Sequence, residues 1–197
     1  MREDPFARID PSDDTRFYSI ARNVVHIEPG AIEALRRVYA DHFPPHATVL
    51  DLMSSWRSHL PDDVGRTVGL GMNAEEMTAN PQLDDWVVHD LNRDPRLPFP
   101  DSSFDAVACA VSVQYLVRPV DVFRDARRVL APGGSVIVSF SNRCFPTKAV
   151  RAWLTGSDAD HRLLVRAYLE QAGLDDVVDE QIPTPDDPLF VVRGRRA

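Results

Sequence analysis

The chain reads as an α/β protein on a doubly wound, mostly parallel sheet. Three observations lead there: short apolar runs recur along the sequence, amphipathic stretches of helical period separate them, and Pro, Gly and Asp punctuate the joins. With 197 residues and 44% apolar content, one hydrophobic core is sufficient without disulfides. Residues 1–15 are polar, with Pro5, Pro11 and several Asp, and are expected to form a mobile or loosely docked lead-in to a single domain over 16–197.

The elements follow in order. From Gly30 to Phe43, the side chains Ile32, Leu35, Val38 and Phe43 recur at helical spacing until Pro44-Pro45 ends the segment. Thr48-Val49-Leu50-Asp51-Leu52 is an apolar run that passes into polar loop residues, as a buried parallel strand does at its carboxyl end. Thr67-Val68-Gly69-Leu70 is a second strand, after which Asn73 opens a short helix with Glu76 spaced for a capping box. Trp86-Val87-Val88-His89 and Phe104 to Val111 are the third and fourth strands. Pro119 starts a helix with Val122, Phe123, Ala126, Val129 and Leu130 on one face, and Pro132-Gly133-Gly134 turns the chain into a fifth strand, Ser135 to Phe140. A helix from about Asp160 to Ala172 precedes Val177-Val178 and Leu189-Phe190-Val191-Val192, which read as an antiparallel hairpin at the sheet edge.

Charge and composition narrow the function classes. The net charge of -8 argues against broad electrostatic binding to nucleic acid or anionic membranes and favours a small-molecule substrate. Cys109 and Cys144 lack the clustered spacing of a zinc site or disulfide framework, so no metal is expected and the residue usage is that of a reduced, cytoplasmic protein. No apolar run approaches a membrane span. Oligomeric state has no signature.

The order VLDL, VGLGMN, HDLNRDPRLPFPDSSFDAV and RVLAPGGSVIVSFSN resembles the class I S-adenosylmethionine-dependent methyltransferase superfamily, closest to its type 11 branch, over roughly residues 18 to 193. LPFPDSSFDAV followed by RVLAPGG is the most specific part. The resemblance implies a seven-stranded sheet of order 3-2-1-4-5-7-6, with the seventh strand antiparallel. Ligands of such sheets lie beyond the strand carboxyl ends where strand order reverses. S-adenosylmethionine is the implied cofactor. Residue by residue, the resemblance gives Asp51 the methionine amino group, Asp90 and Leu91 the adenine, and Met72 the other adenine face.

Two departures stand out. The family's glycine-rich loop is replaced by Met53-Ser54-Ser55-Trp56-Arg57, and Pro61 shortens the following helix to about two turns. In this the chain resembles a subgroup carrying an SSW loop, with SFSNRCFPTKA and an upstream FYS…HI. The ribose-binding acid at the end of the second strand is replaced by Gly71, with Asn73 and Glu75 as nearest substitutes. Ser54, Ser55, Trp56, Gly71, Met72, Asn73 and Ser112 therefore complete the expected cofactor site.

Methyl transfer from a sulfonium needs alignment more than acid or base chemistry. His26, His161 and Tyr115 are the candidates for proton handling. Tyr18, Arg22, Asn142, Arg143 and Lys148 are candidates for the substrate face, with Arg143 and Lys148 suited to a carboxylate or phosphate. The alternative expectation is a non-catalytic binding or scaffold protein on the same fold, with a remodelled cofactor loop.

Overall fold

The computed structural model of the chain describes residues 4–185 and 187–197. Helix α1 (Asp14–Tyr18) is followed by α2 (Pro29–His42), β1 (Thr48–Ser54), β2 (Arg66–Gly71), α3 (Ala74–Thr78), β3 (Asp85–Val88), β4 (Phe104–Ala110), a 3-10 turn at Val113–Tyr115, α4 (Pro119–Val129), β5 (Leu130–Phe140), α5 (Arg151–Thr155), α6 (Asp158–Gln171), β6 (Asp175–Ile182) and β7 (Leu189–Arg195). The seven strands form one sheet of order β3-β2-β1-β4-β5-β7-β6. β7 runs antiparallel to β5 and β6, and the other pairings are parallel.

Alternating strand residues feed two cores, because successive side chains leave a strand on opposite faces. Val49, Ala106, Ala108, Ile137 and Val191 pack under Ala31, Ala34, Leu35 and Tyr39 of α2. Leu50, Val107, Cys109, Val138 and Val192 pack under Phe123 and Val129 of α4 and Val165, Tyr168 and Leu169 of α6. Local chemistry fixes the helix ends. Pro29 and Pro119 stand in the first turns of α2 and α4, and Ser157 with Asp160 forms a reciprocal capping box on α6.

The segment between β1 and β2 corrects an expectation: residues 55–65 contain no helix, not even the two turns anticipated before Pro61. Instead Leu60, fully buried with Val64 beside it, covers the α2 face of the sheet as extended chain. β1 also runs further than expected. A register shift between Leu52 and Ser54 brings Ser54 opposite Gly71, and Met53 within the bulge has φ 61°.

The lead-in is pinned rather than mobile from residue 5 onward. Ala152 and Arg151 donate backbone hydrogen bonds to the Pro5 and Ala7 carbonyls, Asp10 donates to Thr147, and Arg8 bridges Val150. The physical reason is a buried charge cluster. Asp14 accepts two hydrogen bonds from Arg8 at 2.9 and 2.7 Å, and Lys148, fully buried, lies 3.1 Å from Asp14 and 3.0 Å from Asp10. Residues 1–3 lie outside the described residues.

Candidate functional site

A cleft opens beyond the carboxyl ends of β1, β2 and β4, at the point where strand order reverses, as expected for this sheet. Its empty space, open mouth included, is about 1170 Å³. The floor comes from the sheet: Asp51, Met53, Leu70, Gly71, Ala110 and Val111.

Asp51 is almost fully buried on the floor of the cleft. Ser54 Oγ and Ser58 Oγ both donate to its Oδ2, at 2.5 and 2.7 Å, and Asn80 in turn donates to Ser58. Burial pushes the carboxyl up to about 6, against the opposing effect of the two serine hydrogen bonds. Ser54 and Ser58 thus form a hydroxyl cradle for Asp51.

Trp56 does not plug the cleft. Its indole Nε1 donates to Val24 O at 3.0 Å, which places the ring on the wall against residues 22–26, with the Arg57 guanidinium 4.3 Å over it. Two further bonds tie the same strap across the opening: Asn73 Nδ2 to Tyr18 O at 2.8 Å, and Arg22 N to Glu76 Oε1 at 2.7 Å. Residues 18–24 are thereby held as a roof to the loops that follow β1 and β2 and to α3.

The third wall is aromatic. The Phe145 ring packs against Phe17, His26 and Tyr115, with centroids 5.6, 4.9 and 6.0 Å away. Tyr115 Oη accepts the Phe145 N–H at 2.9 Å, and burial raises its hydroxyl to about 12, so it stays protonated. Burial also lowers His26 below its ordinary value, with Glu76 opposing. His59, on the same lining, is pushed down to about 4 by burial and then by Arg57.

Of the expected cofactor residues, Asp51, Ser54, Ser55, Trp56, Gly71, Met72, Asn73, Asp90, Leu91 and Ser112 all line this cleft, as do Tyr18, Arg22, His26 and Tyr115. Asp90 also caps its own turn through Asn92 N at 2.9 Å. Arg22 keeps its guanidinium off the lumen: it donates to Phe17 O and stacks 4.1 Å over the Phe17 ring.

Four expected residues lie elsewhere. His161 is buried at the start of α6, stacked at 4.0 Å on Trp153 and bonded through Nε2 to Trp153 O, so it is a packing residue. Lys148 is spent on Asp10 and Asp14. Arg143 pairs with Glu28 at 2.8 Å and Asp187 at 3.0 Å, outside the cleft. Asn142 is exposed and off the lining. The anticipated grip on a carboxylate or phosphate is therefore not assembled.

Three acidic or amide residues on the lining escaped the sequence reading. Asp14 sat in the presumed lead-in. Asn92 bridges Asp14, the Tyr115 carbonyl and Val117 N, joining the β3 loop to α1 and the 3-10 turn. Glu76 passed for a capping-box residue; Asn73 does accept from Glu76 N, but the Glu76 carboxylate turns instead toward Ser55 and Arg22. Glu75, the substitute considered for the missing ribose acid, is exposed and off the lining.

Comparison with known proteins agrees with this architecture. A family model described as a methyltransferase domain matches residues 57–138. A malonyl-[acyl-carrier protein] O-methyltransferase from Marinomonas sp. (strain MWYL1) is 30% identical over 83 residues, 42% of this chain and 30% of that protein. The chain spans about a third of the length of the curated relatives it matches. Among solved structures, a chain from the complex between the Haloferax volcanii Trm112 methyltransferase activator and a methyltransferase superposes with TM-score 0.60 at 19% identity, covering 86% of this chain and 95% of that one. An S-adenosylmethionine-dependent methyltransferase from Mesorhizobium loti gives 0.58 at 16% identity, covering 83% and 98%. The sheet order and the cleft at its reversal point are those of the fold shared with these solved structures, and within that fold residues 57–138 match the methyltransferase domain model.

Proposed function

We propose that the cleft binds S-adenosylmethionine and that the protein transfers a methyl group to a small molecule. The observation that carries this reading is the lining itself: a roofed cleft with Asp51, Glu76 and Asp90, none of them ion-paired among the described residues, beside one guanidinium, that of Arg57, stacked on Trp56. Such a lining suits a ligand bearing an ammonium and a sulfonium. The cofactor supplies an electrophilic methyl group on sulfur.

The residues fit that ligand without the family's glycines. Asp51 has both serine donors on Oδ2, and no hydrogen bond from the described residues reaches Oδ1, so this oxygen would take the amino group. Met72 and Leu91 offer apolar faces to an adenine ring, and Asp90, on the same lining, would accept from its exocyclic amine. His26, held neutral by its burial, would receive the proton that the acceptor loses, and the Tyr115 hydroxyl would orient the acceptor by donating a hydrogen bond. The roof over residues 18–24 favours a compact acceptor over a polymer.

A thermal-shift titration tests the reading. Ligand at about 100 times its dissociation constant adds roughly 2.7 kcal/mol, or about 5–10 °C for a domain of this size. S-adenosylmethionine and S-adenosylhomocysteine are each expected to give such a shift, and no shift from either at millimolar concentration rejects the proposal.

A further inference from the structure

The loss of the acid at the end of β2 has a geometric cause. A Cβ added at Gly71 would lie 2.2 Å from the Ser54 carbonyl oxygen and 3.0 Å from Met77 Sδ, because the bulged, extended β1 passes directly against it. No side chain fits there, so an acceptor for this part of the cleft must come from another element. Only one carboxylate on the lining is supplied by the element that follows β2, and that is Glu76 on α3.

Its place in the fold matches what the lost acid would have served. β2 lies between β1, which carries Asp51, and β3, which leads to Asp90. Groups presented after β2 therefore stand between the ends of the cleft suited to the amino acid moiety and to the adenine. Glu76 is half-buried, with Oε1 accepting from Arg22 N at 2.7 Å and Oε2 from Ser55 Oγ at 2.5 Å. An ionised carboxylate has about four acceptor sites, so each oxygen keeps capacity for one further donor. Two adjacent hydroxyls match a carboxylate with one vacancy on each oxygen.

We propose that Glu76 has taken over recognition of the ribose diol, as the specificity-determining residue that replaces an acid excluded from position 71. This rests on the reading of the cleft as an adenosyl site. It also means that the roof and the sugar share one carboxylate, since Arg22 N and the diol converge on Glu76.

The experiment is calorimetric titration of the full chain with S-adenosylhomocysteine and with its 2′-deoxyribose analogue. Wild type is expected to bind the deoxy analogue at least about tenfold more weakly, the size of one charge-assisted hydrogen bond. In Glu76→Gln, which keeps the length and one acceptor, that discrimination is expected to shrink to about threefold or less. Glu76→Asp, which retains the charge but withdraws it by a methylene, is expected to narrow it likewise and serves if the Gln variant does not fold. Glu75→Gln, on the exposed side of α3, should leave it unchanged. A merely structural role for Glu76 would weaken both ligands equally and keep their ratio. A wild type indifferent to the 2′-hydroxyl, or a Glu76 variant with its ratio intact, overturns this assignment alone. Absence of any S-adenosylhomocysteine binding overturns it together with the proposed function.

Discussion

Asp51 is the residue where stability and binding pull apart. Its carboxyl, raised to about 6 by burial from an ordinary 3.8, binds protons in the folded chain over a range where the unfolded chain has already released them. Between pH 4 and 6 the native state therefore holds more protons, and stability falls as pH rises through that window. A shift of this size corresponds to at most about 3 kcal/mol of lost stability at neutral pH. Asp51→Asn retains an acceptor for Ser54 and Ser58 but no charge. Urea melts from pH 4 to 8 are expected to show the wild type losing ground to this variant up to about pH 6 and running parallel beyond. The variant's affinity for S-adenosylmethionine at pH 7 should drop by at least tenfold, the effect of one charged hydrogen bond. Strain gathers around the same residue: Met53, His59 and Val111 all line the cleft at φ 61, 56 and 46°. Such conformations cost on the order of 1–3 kcal/mol each, and the β-branched Val111 is the least expected of them.

At the scale of elements, the β1 bulge and the N-terminal strap carry the site. Gly71→Ala would drive a Cβ into the Ser54 carbonyl, which is backbone and held in the β1–β2 pairing, so it has little freedom to withdraw. The expected cost is on the order of 2–3 kcal/mol in a urea melt, as for overpacked core positions, with weaker cofactor binding as β1 shifts. Lys148→Met removes one of the two cations on Asp14 and leaves a partly uncompensated buried carboxylate. A loss of about 3 kcal/mol is expected, and limited proteolysis should now cut within residues 5–22.

These elements also mark what a sequence discloses. Strand order and the placement of Asp51, Met72, Asp90, Leu91 and Ser112 on one cleft followed from the resemblance, once the apolar runs had put each residue in or just beyond a strand. The roles of Lys148 and Arg143 did not. Their partners Asp14 and Glu28 lie 134 and 115 positions away along the chain, and a polar run after a strand looks the same whether its charges are free or paired. Glu76 was hidden by a local rule, since Asn73 followed three residues later by Glu satisfies a capping box whether or not the carboxylate turns back. The signal that could have found it was the pairing of a missing acid at Gly71 with an acid one helical turn beyond.

On the whole molecule, the two faces of the sheet are covered unequally. α4 and α6 pack on one face, whereas the other has α2 and the extended segment around Leu60 where a helix was expected. The strap of residues 18–24 closes over the cleft and is tied to Trp56, Asn73 and Glu76. The cleft thus has a hydroxyl cradle for Asp51 below and a tied roof above. The central claim is that this arrangement still receives an adenosyl group. A crystal structure of the chain grown with saturating S-adenosylhomocysteine tests it most directly. The account predicts the ligand in the cleft, with its amino group on Asp51, its ribose on Glu76 and its adenine between Met72 and Leu91; an empty cleft at saturating ligand, or the nucleoside bound elsewhere, would contradict it.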